Sequence, residues 1–159
     1  KPANIMVDQA MTVKLTDFGI AHLPDSDLTM TANIIGTPTY MSPEAFISAK
    51  VDERSDIFSL GIVAYEFLLG QKPFQGDNIR DLAKAVQFGK PKDPCKVDAN
   101  FPPKLQQLLA KMLKKNPVNR YSSATEIVTE IDEYLLAATD DARSMFQRLM
   151  GRFGVADWC

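Results

Sequence analysis

The sequence predicts a mainly α-helical domain with one short β-hairpin. An apolar run from Ile57 to Leu69 ends at Gly70, and leucines recur at helical spacing between 105 and 113. Two β-prone runs, at 5–8 and 13–17, flank a polar turn and indicate the hairpin. At 159 residues the chain is long enough to bury one core.

The composition is that of an ordinary globular protein, with 45% hydrophobic and 24% charged residues. A net charge of −2 offers no general attraction for nucleic acid or for an anionic membrane, so we expect no nucleic-acid partner. Cys95 and Cys159 are far apart in the sequence, and neither has a metal-ligand spacing. We therefore expect two free thiols in a reducing, cytoplasmic compartment.

Each predicted helix has its own sequence signal. Ser55 or Asp56 is the expected N-cap of the apolar helix, which lacks a polar face and is expected at the centre of the domain. A more polar surface helix is expected from Asn78 to Phe88. Residues 123–126 have the pattern of a capping box. They precede an expected buried stripe: Ile127, Val128, Ile131 and Leu135.

The two ends of the predicted hairpin have metal-binding potential. If the strands pair antiparallel, Asn4 and Asp17 face the same small volume. An amide oxygen and a carboxylate are hard oxygen ligands suited to Mg²⁺. The alternative is that the asparagine forms a turn and the aspartate caps a helix.

Four short motifs follow one another in the chain: Lys-Pro-Ala-Asn at 1–4, Asp-Phe-Gly at 17–19, Gly-Thr-Pro-Thr-Tyr at 36–40 and Ser-Pro-Glu at 42–44. In this order and spacing they resemble the motifs of eukaryotic-like serine/threonine protein kinases, in particular the bacterial type. The resemblance implies the α-rich large, C-terminal lobe of that fold.

The resemblance covers 1–136, which we expect to be a partial kinase domain, and leaves 137–159 as a tail or adjoining segment. In the family the catalytic loop reads His-Arg-Asp, one apolar residue, then Lys-Pro-x-Asn. We therefore expect a fragment that begins inside this loop and lacks the N-terminal lobe, the catalytic Asp and the phosphate-binding Lys. Such a fragment is expected to be inactive by itself.

The family pattern also implies roles for individual residues. It assigns Mg²⁺ to Asn4 and Asp17, and contact with the transferred phosphate to Lys1. Thr37 is expected to bond to the catalytic-loop Asp and to Lys1, and Lys1 is expected to select serine or threonine acceptors. Met6 is expected to face the adenine of ATP, and Val63 and Phe67 would continue the same apolar column.

Further residues have implied structural or regulatory roles. Phe18 is expected to pack into the internal spine, and Gly19 to let the segment change conformation. Glu44 is expected to form a buried ion pair with Arg120, and Asp56 to hold the backbone of the catalytic loop. Activating phosphorylation is expected at one of two threonines, Thr29 or Thr31.

The leading interpretation is a kinase that transfers the γ-phosphoryl of MgATP to serine or threonine of proteins, and that forms a homodimer for trans-autophosphorylation. The rival is a pseudokinase, a regulatory binding module without turnover. After Ala137, arginines interleave with apolar residues. This tail is interpreted as a linker or a helix packed on the lobe, or as a surface for a membrane or a partner. We expect the protein to be cytoplasmic, either as a free enzyme or as the cytoplasmic part of a membrane-anchored kinase.

Overall fold

The structure is a computed structural model that describes residues 1–16, 38–47 and 51–137. Several residues singled out above lie outside these ranges: Asp17, Phe18, Gly19, Thr29, Thr31, Thr37 and the tail after Ala137. The chain divides into two compact units. One contains the β-hairpin and nearly all of the last helix, and the other contains the elements between them.

The hairpin consists of strands β1 (Ile5–Val7) and β2 (Val13–Leu15), and its antiparallel pairing confirms the sequence prediction. The turn is stabilised by Asp8, whose carboxylate accepts from the backbone N–H groups of Ala10 at 3.0 Å and Thr12 at 2.9 Å. These bonds, the Thr12 backbone bond foremost, lower the pKa of Asp8. The turn residues thereby fix the register of the two strands.

Helix α1 (Glu53–Leu69) starts three residues earlier than the sequence suggested. Its N-cap is Asp52, whose side chain accepts from the backbone N–H of Arg54 at 3.0 Å. The predicted caps, Ser55 and Asp56, are therefore wrong, because both lie inside the first turn. Ser55 instead completes a capping box by accepting from the Asp52 N–H at 3.4 Å.

The C-terminus of α1 is where the sequence placed it. Gly70 has a φ of 69° and donates its N–H to the carbonyl of Glu66. A positive φ at this position favours glycine because it has no Cβ.

Helix α1 buries one face rather than its whole circumference. Its buried apolar residues are Ile57, Phe58, Gly61, Ile62 and Tyr65, whereas Leu60 is 43% exposed and Phe67 is 39% exposed. The expected central place of this helix agrees with Phe58, Ile62 and Tyr65 in the main core cluster, but exposed Leu60 and Phe67 show that its apolar surface is not covered all round. Apolar composition alone did not distinguish the face that packs against neighbours from the face that remains open.

Two further helices complete the core of this unit. Helix α2 (Ile79–Phe88) is capped by Asn78, and helix α3 (Pro103–Met112) packs against α1. A Cβ on Gly61 of α1 would lie 2.9 Å from the Cβ of Met112, so this glycine permits the close approach of the two helices. The main core cluster consists of Phe58, Ile62, Tyr65, Phe74, Leu82, Val86, Phe101, Leu109 and Leu113.

The last helix, α4 (Ala124–Ala137), begins directly after Ser123, in agreement with the capping pattern. Ile127 is buried, but Val128 is 55% exposed, so the predicted stripe is wrong at Val128. Neighbouring helical residues point about 100° apart, and a narrow buried face cannot take both. In the described ranges no helix has the length and apolarity needed to cross a membrane.

Candidate functional site

The described residues with implied functional roles fall into two groups. The first, at the open end of the hairpin and along β1, contains Lys1, Asn4 and Met6. The second surrounds the segment 38–47, which follows the Gly-Thr of the third motif, and includes Glu44 and Arg120. The two groups belong to different compact units, and each is described by itself.

The open end of the hairpin, away from its turn, is held by backbone hydrogen bonds. Residues 2–4 form one turn of 3-10 helix, in which Asn4 donates its N–H to the carbonyl of Lys1 at 3.0 Å. The N–H of Thr16 donates to the carbonyl of Asn4 at 2.8 Å. Since Thr16 directly precedes Asp17, the two predicted metal ligands belong to chain segments joined at this point. The placement of the Asp17 side chain stays a prediction.

Lys1 is exposed, and Met6 in the middle of β1 is 56% exposed. Two apolar residues of α1 were expected to continue the column from Met6. Of these, Val63 is half-buried and Phe67 is exposed. The alignment of the three residues into one column stays a prediction.

Tyr40 fastens the segment 38–47 to α1. Its hydroxyl donates to the carboxylate of Glu66 at 2.7 Å, and its carbonyl accepts from the hydroxyl of Ser59 at 2.7 Å. Burial, reinforced by the Glu66 carboxylate, raises the pKa of Tyr40 and keeps the hydroxyl protonated. Sequence reasoning missed Ser59 and Glu66. Their spacing of seven residues, which places both on one helix face, was the available signal.

Glu44 and Arg120 form an ion pair across 76 residues of sequence. The guanidinium binds the carboxylate with two bonds, Nη1 to Oε1 at 2.7 Å and Nη2 to Oε2 at 2.9 Å. The Arg120 side chain is fully buried, and that of Glu44 is 18% exposed. The structure thus brings together the two residues that the resemblance assigned to a buried pair.

The Arg120 guanidinium uses every one of its donors. Beyond the two bonds to Glu44, three N–H groups donate to backbone carbonyls, those of Arg54 at 2.8 Å, Lys114 at 2.7 Å and Lys115 at 3.0 Å. A guanidinium has five N–H donors, so none is left unsatisfied. Its carbon also lies 4.8 Å from the centre of the Phe58 ring. The surrounding backbone is therefore arranged to hold a buried cation.

Ser55 links this ion pair to the start of α1. Its hydroxyl donates to Oε1 of Glu44 at 2.6 Å while it accepts from the Asp52 N–H. Burial opposes ionisation of Glu44, but the hydrogen bonds from Arg120 and Ser55 outweigh burial and lower the pKa of Glu44 to about 2. Asp56, the next residue, is exposed in the first turn, and its predicted contact with the catalytic loop stays a prediction.

Ser42 stands where the resembling motif ordinarily has alanine. It is 2% exposed, and within the described part of the chain its hydroxyl has no hydrogen-bond partner. A buried hydroxyl that has lost water without gaining a partner lowers stability. Serine and alanine are similar in size, so the sequence alone does not reveal this loss of a hydrogen bond.

These observations define a lobe in which two short turns, Pro38–Tyr40 and Glu44–Phe46, are bonded to α1 and to Arg120. The chain belongs to the protein kinase domain family, whose profile matches residues 1–131.

Named relatives agree with the family. The chain is similar to serine/threonine-protein kinase PknB of Mycolicibacterium smegmatis, with 43% identity over 134 residues, which are 82% of this chain and 21% of the relative. It is 40% identical over 134 residues to a probable serine/threonine-protein kinase of Clostridium perfringens, covering 84% of the chain and 20% of that protein. A probable serine/threonine-protein kinase of Streptomyces coelicolor is 40% identical over 138 residues, 85% of the chain and 20% of the relative. The chain thus spans about a fifth of the length of these relatives.

Replacing Arg120 by methionine should destabilise the domain by about 3–5 kcal/mol, because Glu44 is then a buried charge without its partner. Chemical denaturation measures this change. The double variant Glu44→Leu/Arg120→Met should be more stable than Arg120→Met, since no unpaired charge remains. If the double variant is the less stable of the two, the pair does not have the assigned role.

The pH dependence of the folding stability should show the titration of the Glu44 carboxyl group. Because its pKa is lowered from 4.5 to about 2 on folding, its contribution is complete above pH 4.5 and is lost as the pH falls towards 2. Denaturation midpoints between pH 5 and 2 should fall more steeply for the unaltered protein than for Glu44→Gln. Parallel curves for the two proteins would contradict this assignment.

Ser42→Ala should leave stability unchanged or raise it by up to about 1–3 kcal/mol, because it removes a buried hydroxyl that has no partner. The free energy of unfolding measures the effect. Ser55→Ala is the matched control and should be destabilising, since its hydroxyl is bonded to Glu44. A destabilised Ser42→Ala variant would show that the Ser42 hydroxyl is hydrogen-bonded in solution.

Proposed function

We propose that the protein containing this chain is a serine/threonine protein kinase that transfers the γ-phosphoryl of MgATP to serine or threonine hydroxyls of proteins. The observation that supports this most directly is the 2.8 Å bond from the Thr16 N–H to the Asn4 carbonyl. It brings the main chain of Thr16, the residue before Asp17, next to Asn4, and this supports the proposed pairing of Asn4 with Asp17. Family membership and the names of the relatives support the same reaction.

The donor set fits Mg²⁺. Asn4 offers an amide oxygen and Asp17 a carboxylate, and Mg²⁺ usually binds one or two such protein ligands together with phosphate oxygens and water. When bound, the ion neutralises charge on the phosphates. In the proposal, Asn4 and Asp17 hold the ion, and Met6 contacts the adenine of ATP from β1.

Lys1 and Thr37 have complementary tasks in the proposal. The exposed Lys1 ammonium approaches the transferred phosphate and offsets its negative charge. Thr37 bonds to Lys1 and to the catalytic loop, which aligns an aliphatic hydroxyl acceptor. Catalysis of phosphoryl transfer depends mostly on positioning and on charge stabilisation. Thr37 is assigned the first of these roles and Lys1 the second.

The segment 38–47 is proposed to present the acceptor protein. Its attachment to α1 through Tyr40 and to Arg120 through Glu44 supports this role, because a docking surface has to be held in place. Phosphorylation at Thr29 or Thr31, by a second copy of the kinase in a homodimer, would order the preceding loop. Both the homodimer and the sites of modification are part of the proposal.

A cytoplasmic location, as a free enzyme or as the cytoplasmic part of a membrane-anchored kinase, is also proposed. Its support is the exposed free thiol of Cys95, which is typical of a reducing compartment. ATP as the phosphoryl donor is consistent with the same compartment.

The full-length protein should label itself from γ-labelled ATP in the presence of Mg²⁺, and Asp17→Asn should lower the labelling rate by about 100-fold or more, because a charged metal ligand is lost. Asp8→Asn is the matched control. It changes a carboxylate at the opposite end of the same hairpin and should label normally.

Two outcomes would contradict the proposal. Undiminished labelling of Asp17→Asn would refute the metal assignment. If the unaltered full-length protein neither labels itself nor phosphorylates a protein substrate, while it still binds ATP, the regulatory alternative without turnover would be correct.

A further inference from the structure

Lys115 occupies a place that the proposed reaction leaves without a role. It follows α3 and lies five residues before Arg120, and its side chain is partly buried. The ammonium group lies at the C-terminal end of α2. There it donates to the backbone carbonyl of Ala85 at 3.3 Å and to that of Val86. One lysine from a distant loop thus binds the last turn of this helix.

The contact is electrostatically favourable at the helix end. Carbonyls in the last turn of an α-helix lack partners within the helix, and the helix dipole favours a cation there. The ammonium nitrogen also lies 3.8 Å from the centre of the Phe74 ring, within the range of a cation–π contact. Burial, followed by the charge of Arg120, lowers the pKa of Lys115 to about 8. At neutral pH the amine is still mostly protonated and able to donate.

The main chain of Lys115 makes a second contact, with Arg120. Its carbonyl accepts from Nη2 of Arg120 at 3.0 Å, so the same residue is joined to the Glu44 ion pair. Helix α2, in turn, packs against both turns of the segment 38–47. Lys115 therefore connects the buried ion pair, through its ammonium group, to the helix against which that segment rests.

We propose that Lys115 is a positioning residue for the protein acceptor. Its ammonium group fixes the C-terminal end of α2, and α2 fixes the two turns of the segment 38–47. This inference rests on the proposed kinase function, in which that segment presents the acceptor. A neutral, apolar side chain at 115 leaves two helix-end carbonyls without their cation, so that α2 and the two turns open more often.

Hydrogen exchange in the full-length protein tests the structural step. In Lys115→Met, backbone amides of Ala85–Gly89 and of the segment 38–47 should exchange about 3- to 10-fold faster, the range expected for loss of a cation at a helix C-terminus. Lys115→Arg, which keeps a cation, should restore slow exchange. Lys114→Met is the matched control, since it removes a neighbouring exposed lysine, and it should leave both regions unchanged.

Kinetics of the same variants test the functional step. Lys115→Met should raise KM for a protein acceptor about 3- to 10-fold, with kcat and KM for ATP unchanged, because only presentation of the acceptor is affected. Lys115→Arg should recover most of the loss. If Lys115→Met is too unstable to purify, Lys115→Gln should show the same split, since it also lacks the charge.

Three results would overturn the inference. They are unchanged exchange in the segment 38–47, an arginine variant that behaves like the methionine variant, and an equal fall in kcat/KM for the acceptor and for ATP. Failure of the proposed kinase function can be told apart from failure of this inference. A full-length protein that transfers no phosphoryl group would still show, by hydrogen exchange, whether Lys115 holds the segment 38–47.

Discussion

A buried guanidinium is the constraint on which the larger compact unit depends. Arg120 is removed from water, so each of its N–H groups has to find an acceptor inside the protein. Two acceptors are the oxygens of Glu44, and the other three are carbonyls of the first turn of α1 and of the loop after α3. One side chain thereby sets the mutual arrangement of three chain segments.

The same network explains why α1 begins where it does. Ser55 accepts from the N-cap residue Asp52 and donates to Glu44, so the helix start and the anchor of the segment 38–47 share one hydroxyl. Tyr40 attaches the same segment further along α1, to Ser59 about one turn and to Glu66 about three turns after Ser55. A rigid helix with two attachment points is a suitable base for the segment that we propose presents the acceptor protein.

Much of the architecture could be predicted from local sequence, and the limits of prediction have physical causes. Gly70, Asn78 and the capping pattern at 123–126 marked helix ends because caps depend on neighbouring residues alone. The start of α1 was misplaced because Asp52 and Ser55 are both good cap residues three positions apart, and here they form one capping box. Burial was misjudged at Val128, whose neighbours are set by tertiary packing.

In the candidate site, too, contacts between residues far apart in the sequence could not be predicted from local sequence. The partnership of Glu44 with Arg120 was accessible only through resemblance to a family, since nothing local connects residues 76 positions apart. The carbonyls of Arg54, Lys114 and Lys115 could not have been found at all, because every residue has a carbonyl. Lys115 itself looks like an ordinary charge in a basic stretch until its contact with the end of α2 is seen.

The central claim is that Asn4 and Asp17 together hold the metal ion of a bound nucleotide at the open end of the hairpin, away from its turn. Mn²⁺ accepts the same oxygen ligands as Mg²⁺ and broadens NMR signals of nuclei close to it. In the full-length protein with ATP, substoichiometric Mn²⁺ should broaden the side-chain amide signals of Asn4 and leave those of the exposed Asn100 sharp. Sharp Asn4 signals under conditions where ATP and Mn²⁺ are bound would contradict the account.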